Sequence, residues 1–552
     1  MTGSNEQVII DRWKDEPAPL LPVLQELHDR DGYLSEEALH AVAVGLRIPI
    51  ADLFGTVTFY HHFSREPGGL AAPRVCTGPV CKMKGADALV AVLEGATPMP
   101  CSGRCDDPIP VLRGHDTLVG LSADTLESRP SPLPPTALTG VEECVFAHIR
   151  EPGRASLSGY EKTGGYEGLR AALEKTPEDI LQVMSDSGLA GRGGAGFPTG
   201  VKWKAVADAE GHPKTIVCNA DEGEPGCFKD RCLMDYDPHA IVEGMVLAAY
   251  ATDATRGFIY LRYEYPETER VLDQALAEAH AAGFLGTNIL GSDFEFDLYV
   301  RRGAGAYICG EETSLLNSLE GKHPFPRNRP PYPVTHGFED LPTVVNNVET
   351  LASVAPIVRR GAEWYKSLGR GEQAGTKVIS LSGDVVRPGN YEVPLGFPLL
   401  ELIEWAGGVP EGRSIQAVTM AGLSGGFLAG DDMDVTLDEP SIRSKGSFLG
   451  AGGIMVFDDS RDMIEVSHQA MEFFTHESCG KCFPCRIGTQ RLMERLAGKA
   501  GPKDLESWID EVADLGKTMM ETSACGLGVA APLITNSLLK YFPEQVSDHV
   551  TR

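Results

Sequence analysis

The 552-residue chain lacks any apolar run approaching the ~20 residues that a membrane-crossing helix needs, because Gly, Pro or charge interrupts every hydrophobic stretch. It also lacks a secretory leader. The opening MTGSNEQVIIDRWKDEPAP shows no basic segment running into an apolar one and no small-residue cleavage site. These absences set the expectation of a soluble, cytoplasmic protein with no membrane partner. Basic residues are scarce too: 49 Lys and Arg against 78 Asp and Glu give a formal net charge of −29, which repels nucleic acid. Any phosphate must therefore be gripped by a local device. What the chain does have is length, enough for roughly three to five domains.

It also has cysteine. Thirteen cysteines, an odd number in a chain read as cytosolic, argue against a disulfide framework and direct attention to spacing. Cys479, Cys482 and Cys485 form C-x2-C-x2-C, which lets three thiolates from one tight loop converge on a cube of iron and sulfide. Cys525, in the Gly-bearing TSACGLG, supplies a fourth ligand if the chain reverses between the last helices. Structural zinc is the competing reading, although zinc sites more often use paired C-x2-C knuckles. Cys76 and Cys81 (C-x4-C) with Cys101 and Cys105 (C-x3-C) offer two ligands to each iron of a [2Fe-2S] rhomb, with zinc again the alternative. Cys144, Cys218, Cys227, Cys232 and Cys309 show no ligand spacing and are read as ordinary thiols, and His61 and His62 as residues without a ligand role.

Texture divides the chain. Residues 1–70 carry helical periodicity (Leu20, Leu24, Leu27, then Leu39, Val42, Leu46 behind the N-cap candidate Ser35). Residues 71–126, with a strand-like PRVCTGPVC, a helical GADALVAVLEG and strand candidates IPVLRG and TLVGL, suit a small α/β domain. Residues 127–159, rich in Pro, Ser, Arg and Gly, read as a linker. From 160 to 372 amphipathic helices alternate with apolar strands (TIVCNA, GFIYLRY) in a layered α/β domain. Short β runs around LLELIEWAGG make 373–456 a small α+β domain, and 457–552 a helical bundle.

Two loops suit a nucleotide. Gly191-Arg-Gly-Gly-Ala-Gly-Phe-Pro-Thr-Gly200, followed by Lys202, would let backbone amides approach a phosphate, though no strand runs into it as a standard Rossmann site requires; a plain flexible loop is the alternative. Asn219-Ala-Asp-Glu-Gly-Glu-Pro-Gly226 follows an apolar strand, where α/β sheets bind ligands; the alternative is a solvated acidic turn. GAGAYICGEET (303–313) and Asn346-Asn347-Val-Glu-Thr350 share this small and polar character.

GRGGAGFPTGVKW, NADEGEPGCFKDR, GAGAYICGEETSLLNSLEG, PTVVNNVET and ESCGKCFPCRIGT together resemble the NADH-binding FMN subunit of respiratory complex I. Residues 16–120 resemble its [2Fe-2S] thioredoxin-like partner subunit. The resemblance covers nearly the whole chain. It implies a multidomain α/β protein: an N-terminal helical bundle with a thioredoxin-like domain, an FMN-binding α/β domain, a ubiquitin-like SLBB domain and a C-terminal helical bundle holding [4Fe-4S]. By that resemblance Gly191, Gly193, Gly194 and Lys202 hold the FMN phosphate, while Asn219, Asp221, Tyr307, Gly310, Glu311, Asn346, Asn347 and Thr350 frame the rest of the flavin. Glu224 contacts the nicotinamide side as the one catalytic candidate, Phe197 and Tyr332 stack the adenine, Glu312 bonds the adenosine ribose and Arg329 lies near the nucleotide. The family more often has Lys at 329 and Phe at 332. Ala205 replaces an aromatic, and the interval from Cys81 to Cys101 is short.

Fusion of the two regions resembles the diaphorase subunits of soluble NAD-dependent formate dehydrogenases and NAD-reducing hydrogenases. The expected partner is a large catalytic subunit with further iron-sulfur clusters, a molybdenum or tungsten formate dehydrogenase being favoured (formate + NAD+ = CO2 + NADH). A hydrogenase comes second and a fused pair of complex I subunits third. A non-catalytic cluster scaffold or redox sensor is the reading from another class. The chain shows no molybdopterin signature and no nickel-binding C-x2-C pair, which puts the second half-reaction on another subunit.

Overall fold

The computed structural model describes residues 5–498, 501 and 504–551. Residues 1–4 fall in the expected first module and 499, 500, 502, 503 and 552 in the last; they lie outside the described residues.

The chain opens with helices Asn5–Trp13, Leu20–Asp31, Glu36–Gly45 and Ile50–Phe59. Ser35 caps the third, its hydroxyl accepting from the Ala38 N–H at 3.1 Å. A small sheet follows: β1 (Arg74–Cys76), β2 (Thr97–Met99), β3 (Pro110–Arg113) and β4 (Asp116–Val119), in the order β2-β1-β3-β4 with only β1 and β2 parallel. The strand expected over PRVCTGPVC stops at Cys76. Gly78 and Pro79 instead start a helix, Pro79–Met83, because proline's fixed φ suits a first helical turn and its missing N–H costs nothing there. Cys81 is thus presented from a helix rather than a strand.

The next sheet is fully parallel: β5 (Lys214–Ala220), β6 (Ala254–Leu261), β7 (Asp297–Arg302) and β8 (Thr343–Asn347), ordered β7-β6-β5-β8. Both faces are covered, which explains the near-continuous apolar strands. Ile216, Cys218, Ala220, Ile259, Leu261 and Val344 pack with the buried helix Pro238–Thr252. Val217, Phe258, Tyr260 and Val345 point the other way, into a core shared with the N-terminal helices and the helix Glu312–Leu319. Strand order reverses between β5 and β8, and the carboxyl ends there form the crevice where such sheets bind ligands.

The third sheet contains β9 (Thr376–Gly383), β10 (Gly389–Pro394), β11 (Ile415–Thr419), β12 (Phe427–Leu428) and β13 (Gly453–Asp458), in the order β10-β9-β13-β11-β12. The expected linker is pinned to it, since the N–H groups of Cys144 and Phe146 each donate to the buried Glu392 carboxylate at 2.7 Å. Helices Met463–Glu477, Phe483–Leu496, Leu505–Thr522, Pro532–Tyr541 and Pro543–Thr551 finish the chain and share the core of the N-terminal helices. The multidomain α/β reading, with its four kinds of module, is borne out. No helix among the described residues is long and apolar enough to cross a membrane.

Candidate functional site

At the β5/β8 crevice lies a cavity of about 290 Å³. Three modules wall it: the glycine loop and strand-end loops of the parallel sheet; Ala421, Ser424, Gly450 and Ala451 from turns of the third sheet; and Gly526, Leu527 and Ala530 immediately after Cys525. Gly193 is needed for closure, because a Cβ there would meet the Asn347 Cβ at 2.9 Å. Gly422 lets its turn cross Glu224, where an added Cβ would lie 2.4 Å from the Glu224 Cγ.

The polar groups are held in set orientations. Asn219 Nδ2 donates to the Gly310 carbonyl at 2.8 Å, and its Oδ1 accepts from the Asp221 N–H at 3.2 Å. Asn347 Nδ2 donates to Asp230 at 2.6 Å. Glu224 is saturated: it accepts from the hydroxyls of Tyr307 and Ser424 and from the N–H groups of Leu423 (2.8 Å) and Ser424 (3.1 Å). Burial pushes its pKa up all the same, with those four bonds opposing. Asp221 is the exception, a cavity-lining carboxyl whose buried Oδ2 has no partner. Burial drives its pKa well above the usual range, with Arg262 opposing and Glu264 and Glu477 adding to the effect. An unpartnered carboxyl oxygen and a row of small residues suit a flat heteroaromatic ring with polar edges, and FMN fits this lining.

Several expected residues stand outside the cavity lining. Lys202, on the helix Thr199–Asp208, donates to the Val345 carbonyl at 3.0 Å and pairs with Glu312 at 3.2 Å. Glu312 also pairs with Arg329 (3.1 Å), and Arg329 reaches Glu311, whose carboxylate caps the helix Glu312–Leu319. Asn346 accepts from the Trp203 indole at 2.8 Å and Thr350 from the Arg192 N–H at 2.9 Å. Both shape the crevice from behind. Gly191 bonds the Phe197 carbonyl and closes the glycine loop on itself. Phe197 and Tyr332 expose half their surface (50% and 53%). Sequence reasoning missed Glu222, Cys227, Asp230 and Ser424, which line the cavity. The first three sit inside NADEGEPGCFKDR; Ser424 is brought from 200 residues away and left no local signal.

All thirteen cysteines are free thiols. Among the first quartet, Cys101 and Cys105 sulfurs are 3.7 Å apart, and Cys76 interacts with both Cys101 and Cys81. The Ser102 N–H points at the Cys76 sulfur from 3.4 Å. In the second, Cys485 feels Cys482, Cys525 and Cys479 as neighbouring charges. Burial, with the Ser478 hydroxyl opposing, pushes its thiol up to about 12. Burial raises the Cys479 and Cys525 thiols, with the backbone N–H of Lys481 opposing at Cys479 and those of Leu527 and Gly528 at Cys525. Converging thiols that form no disulfide, surrounded by amide donors, fit iron-sulfur clusters, whose thiolates need such bonds. A second cleft, of about 330 Å³, separates Cys101 from the helix Met463–Glu477 and is lined by His61, Lys82 and Glu472.

Arg262 links cavity and first quartet, donating to the Glu222 carbonyl and to the Cys101 carbonyl (2.6 Å). Arg231 holds the same loop through Gly103 O (3.1 Å) and Asp106 (2.7 Å).

Four family models match. The Nuo51 FMN-binding domain covers residues 184–356, thioredoxin-like [2Fe-2S] ferredoxin 6–108, the SLBB domain 378–428, and the NADH-ubiquinone oxidoreductase-F iron-sulfur binding region 465–549. The second F-type NADH-quinone oxidoreductase protein of Rhizobium meliloti (strain 1021) is 46% identical over 415 residues, 74% of this chain and 98% of that protein. The alpha subunit of the NAD-reducing hydrogenase HoxS of Cupriavidus necator is 34% identical over an alignment spanning 99% of this chain and 94% of that one. A crystal structure of NAD+-reducing [NiFe]-hydrogenase in the H2-reduced state superposes with a TM-score of 0.80 at 30% identity, covering 97% of this chain and 93% of its own.

Proposed function

The chain belongs to the F-type family of NADH-quinone oxidoreductase proteins, joined in one polypeptide to a thioredoxin-like [2Fe-2S] ferredoxin, and we propose from this that it is the diaphorase subunit of a soluble, cytoplasmic hetero-oligomer. It is an NAD(H)-dependent oxidoreductase of the diaphorase type, with FMN, [2Fe-2S] and [4Fe-4S] as cofactors. Bound FMN supplies the conversion between two-electron hydride chemistry and one-electron transfer.

The chain's own residues prepare the site for that chemistry. Asn219, Asn347, Gly310 and the unpartnered Asp221 offer fixed polar groups to a ring, while Gly193 and Gly194 take the phosphate end, with Gly191 and Lys202 supporting that loop from outside the lining. Glu224 carries no free lone pair for a proton; its work is to hold Tyr307 and Ser424 where the nicotinamide side opens. Phe197 and Tyr332 take the adenine at the mouth, with Glu312 and Arg329 beside its ribose. One observation carries the reading: a single cavity is enclosed by the glycine loop, the strand-end loops and the residues just after Cys525. Two tests apply. Flavin released from purified protein should be FMN, and NADH should reduce ferricyanide; no flavin and no activity would favour a cluster scaffold. Glu312→Gln should improve NADPH oxidation relative to NADH, since a carboxylate beside the ribose repels a 2′-phosphate; an unchanged ratio would remove that role.

The partner is a large catalytic subunit. Whole-chain likeness to a NAD-reducing hydrogenase subunit supports a hydrogenase-type partner over the formate dehydrogenase favoured on sequence. Co-purification decides between them: nickel in the associated subunit with H2-dependent NAD+ reduction, or molybdenum or tungsten with formate-dependent reduction.

A further inference from the structure

The first quartet is ringed by arginines, and all but one have a carboxylate. Arg104 pairs with Glu267 (3.0 Å), Arg231 with Asp106 (2.7 Å) and Arg262 with Glu264 (2.8 Å). Lys82, beside Cys81, pairs with Glu472. Arg74 differs. It is 7% exposed, and among the described residues its guanidinium has one hydrogen-bond partner, His62 Nδ1 at 3.0 Å; its Nε and Nη2 are buried with no acceptor. A buried cation without a counter-charge is costly.

The neighbouring histidines do not relieve it. His28 Nε2 accepts from the Ser64 N–H at 3.1 Å, so its proton sits on Nδ1; His62 Nδ1 accepts from Arg74, which can only donate, so its proton sits on Nε2. Those two atoms are the ones left without partners. Burial, opposed by Asp29 and assisted by Arg74 and Arg302, pushes His28 down to about 4; burial with Arg74 and Arg302 pushes His62 well below its usual value, so both rings are neutral. His28, Asp29 and His62 bring ligand-type atoms within 4.8 Å of one another, yet the two histidines present N–H groups there and Asp29 is already paired with His115 (2.8 Å) and Arg302 (3.6 Å), so they do not suit a metal ion.

Arg74 and Cys76 occupy alternate positions of β1 and share one face. The Arg74 guanidinium lies 5.1 Å from the Tyr263 ring centroid, and Tyr263 packs in one cluster with Cys76 and Cys81. We propose that Arg74 is the counter-charge of the N-terminal [2Fe-2S] centre and holds its reduction potential up. The inference rests on assigning Cys76, Cys81, Cys101 and Cys105 as the ligands. Four thiolates make the oxidised centre anionic, and taking one electron from the NADH-derived pair adds one negative charge with no bond made or broken. A fixed cation in a low-dielectric site favours the reduced state and escapes screening by salt. Arg74 is a positioning residue in this sense, acting on the centre's energy without ligating it.

The test is an EPR-monitored redox titration of the full, cluster-loaded chain. Arg74→Gln should move the [2Fe-2S] midpoint to more negative potential, Arg74→Lys should leave it near wild type, and the [4Fe-4S] midpoint should stay put in both. Should Arg74→Gln fail to fold, His62→Glu, which sets a carboxylate beside the retained Arg74, should lower the midpoint in the same direction. A full [2Fe-2S] signal with an unmoved midpoint in the charge-altered variant would overturn the proposal alone. A wild-type protein with FMN and [4Fe-4S] but no [2Fe-2S] signal would overturn the ligand assignment along with it.

Discussion

The two cysteine quartets differ in what surrounds them. Cys76, Cys81, Cys101 and Cys105 are all buried and clasped by charged side chains from the parallel-sheet domain, whereas in the second quartet only Cys485 is buried and Phe483, between two of the ligands, is 75% exposed. The first site is therefore built as an interior station whose properties the fold controls. The second faces outward, toward solvent. Both rely on backbone amides aimed at sulfur, and the contrast lies in the charges around them.

Separating the two sites gives the largest effects. Cys482→Ser should remove the [4Fe-4S] signal while the [2Fe-2S] signal persists; EPR and iron analysis check this, and joint loss of both signals would dissolve the comparison. Arg231→Met leaves Asp106 buried and unpaired, and should cost about 3–5 kcal/mol in denaturant unfolding. A surface substitution such as Arg491→Met should stay within about 0.5 kcal/mol, because its ion pair with Glu494 is solvent-exposed.

Acidity sharpens the comparison further. Burial, reinforced by Asp230, pushes the Glu222 carboxyl up to about 7, against Lys229 and the N–H groups of Asp230 and Arg231. The native state then keeps a proton that the unfolded chain releases near its ordinary value of 4.5, so this group's contribution to stability falls as pH rises from about 4.5 to 7. Glu222→Gln should flatten that slope by about 1–3 kcal/mol across the window, measured by urea unfolding at each pH. The smallest effect is kinetic. An iron chelator under air should bleach the [4Fe-4S] signal severalfold faster than the [2Fe-2S] signal, because three of its four thiols are partly exposed; equal rates would mean that burial does not set access.

Much of the architecture was legible from local patterns. The runs TIVCNA, GFIYLRY, KVISLSG and GGIMVF became β5, β6, β9 and β13 because an apolar β-branched run that must be buried on both faces has few other conformations open to it. PRVCTGPVC misled because its Val and Cys residues favour a strand while the Gly-Pro step within it starts a helix. The cavity was legible only in part. Asn219, Asp221, Tyr307 and Asn347 line it from motifs that stand out in sequence, but the wall contributed by Ser424, Gly450 and Leu527 comes from other modules.

The sequence by itself determined which chemistry the chain carries, because ligand spacing, glycine loops and strand-end polar residues are local requirements of clusters and phosphates. Tertiary structure alone decided the electrostatics. Burial raises the Asp221 carboxyl, Glu224 is saturated by four donors and Arg74 has no carboxylate partner among the described residues, since each depends on burial and on partners distant in the chain. No spacing rule encodes the charge a folded neighbour brings or withholds.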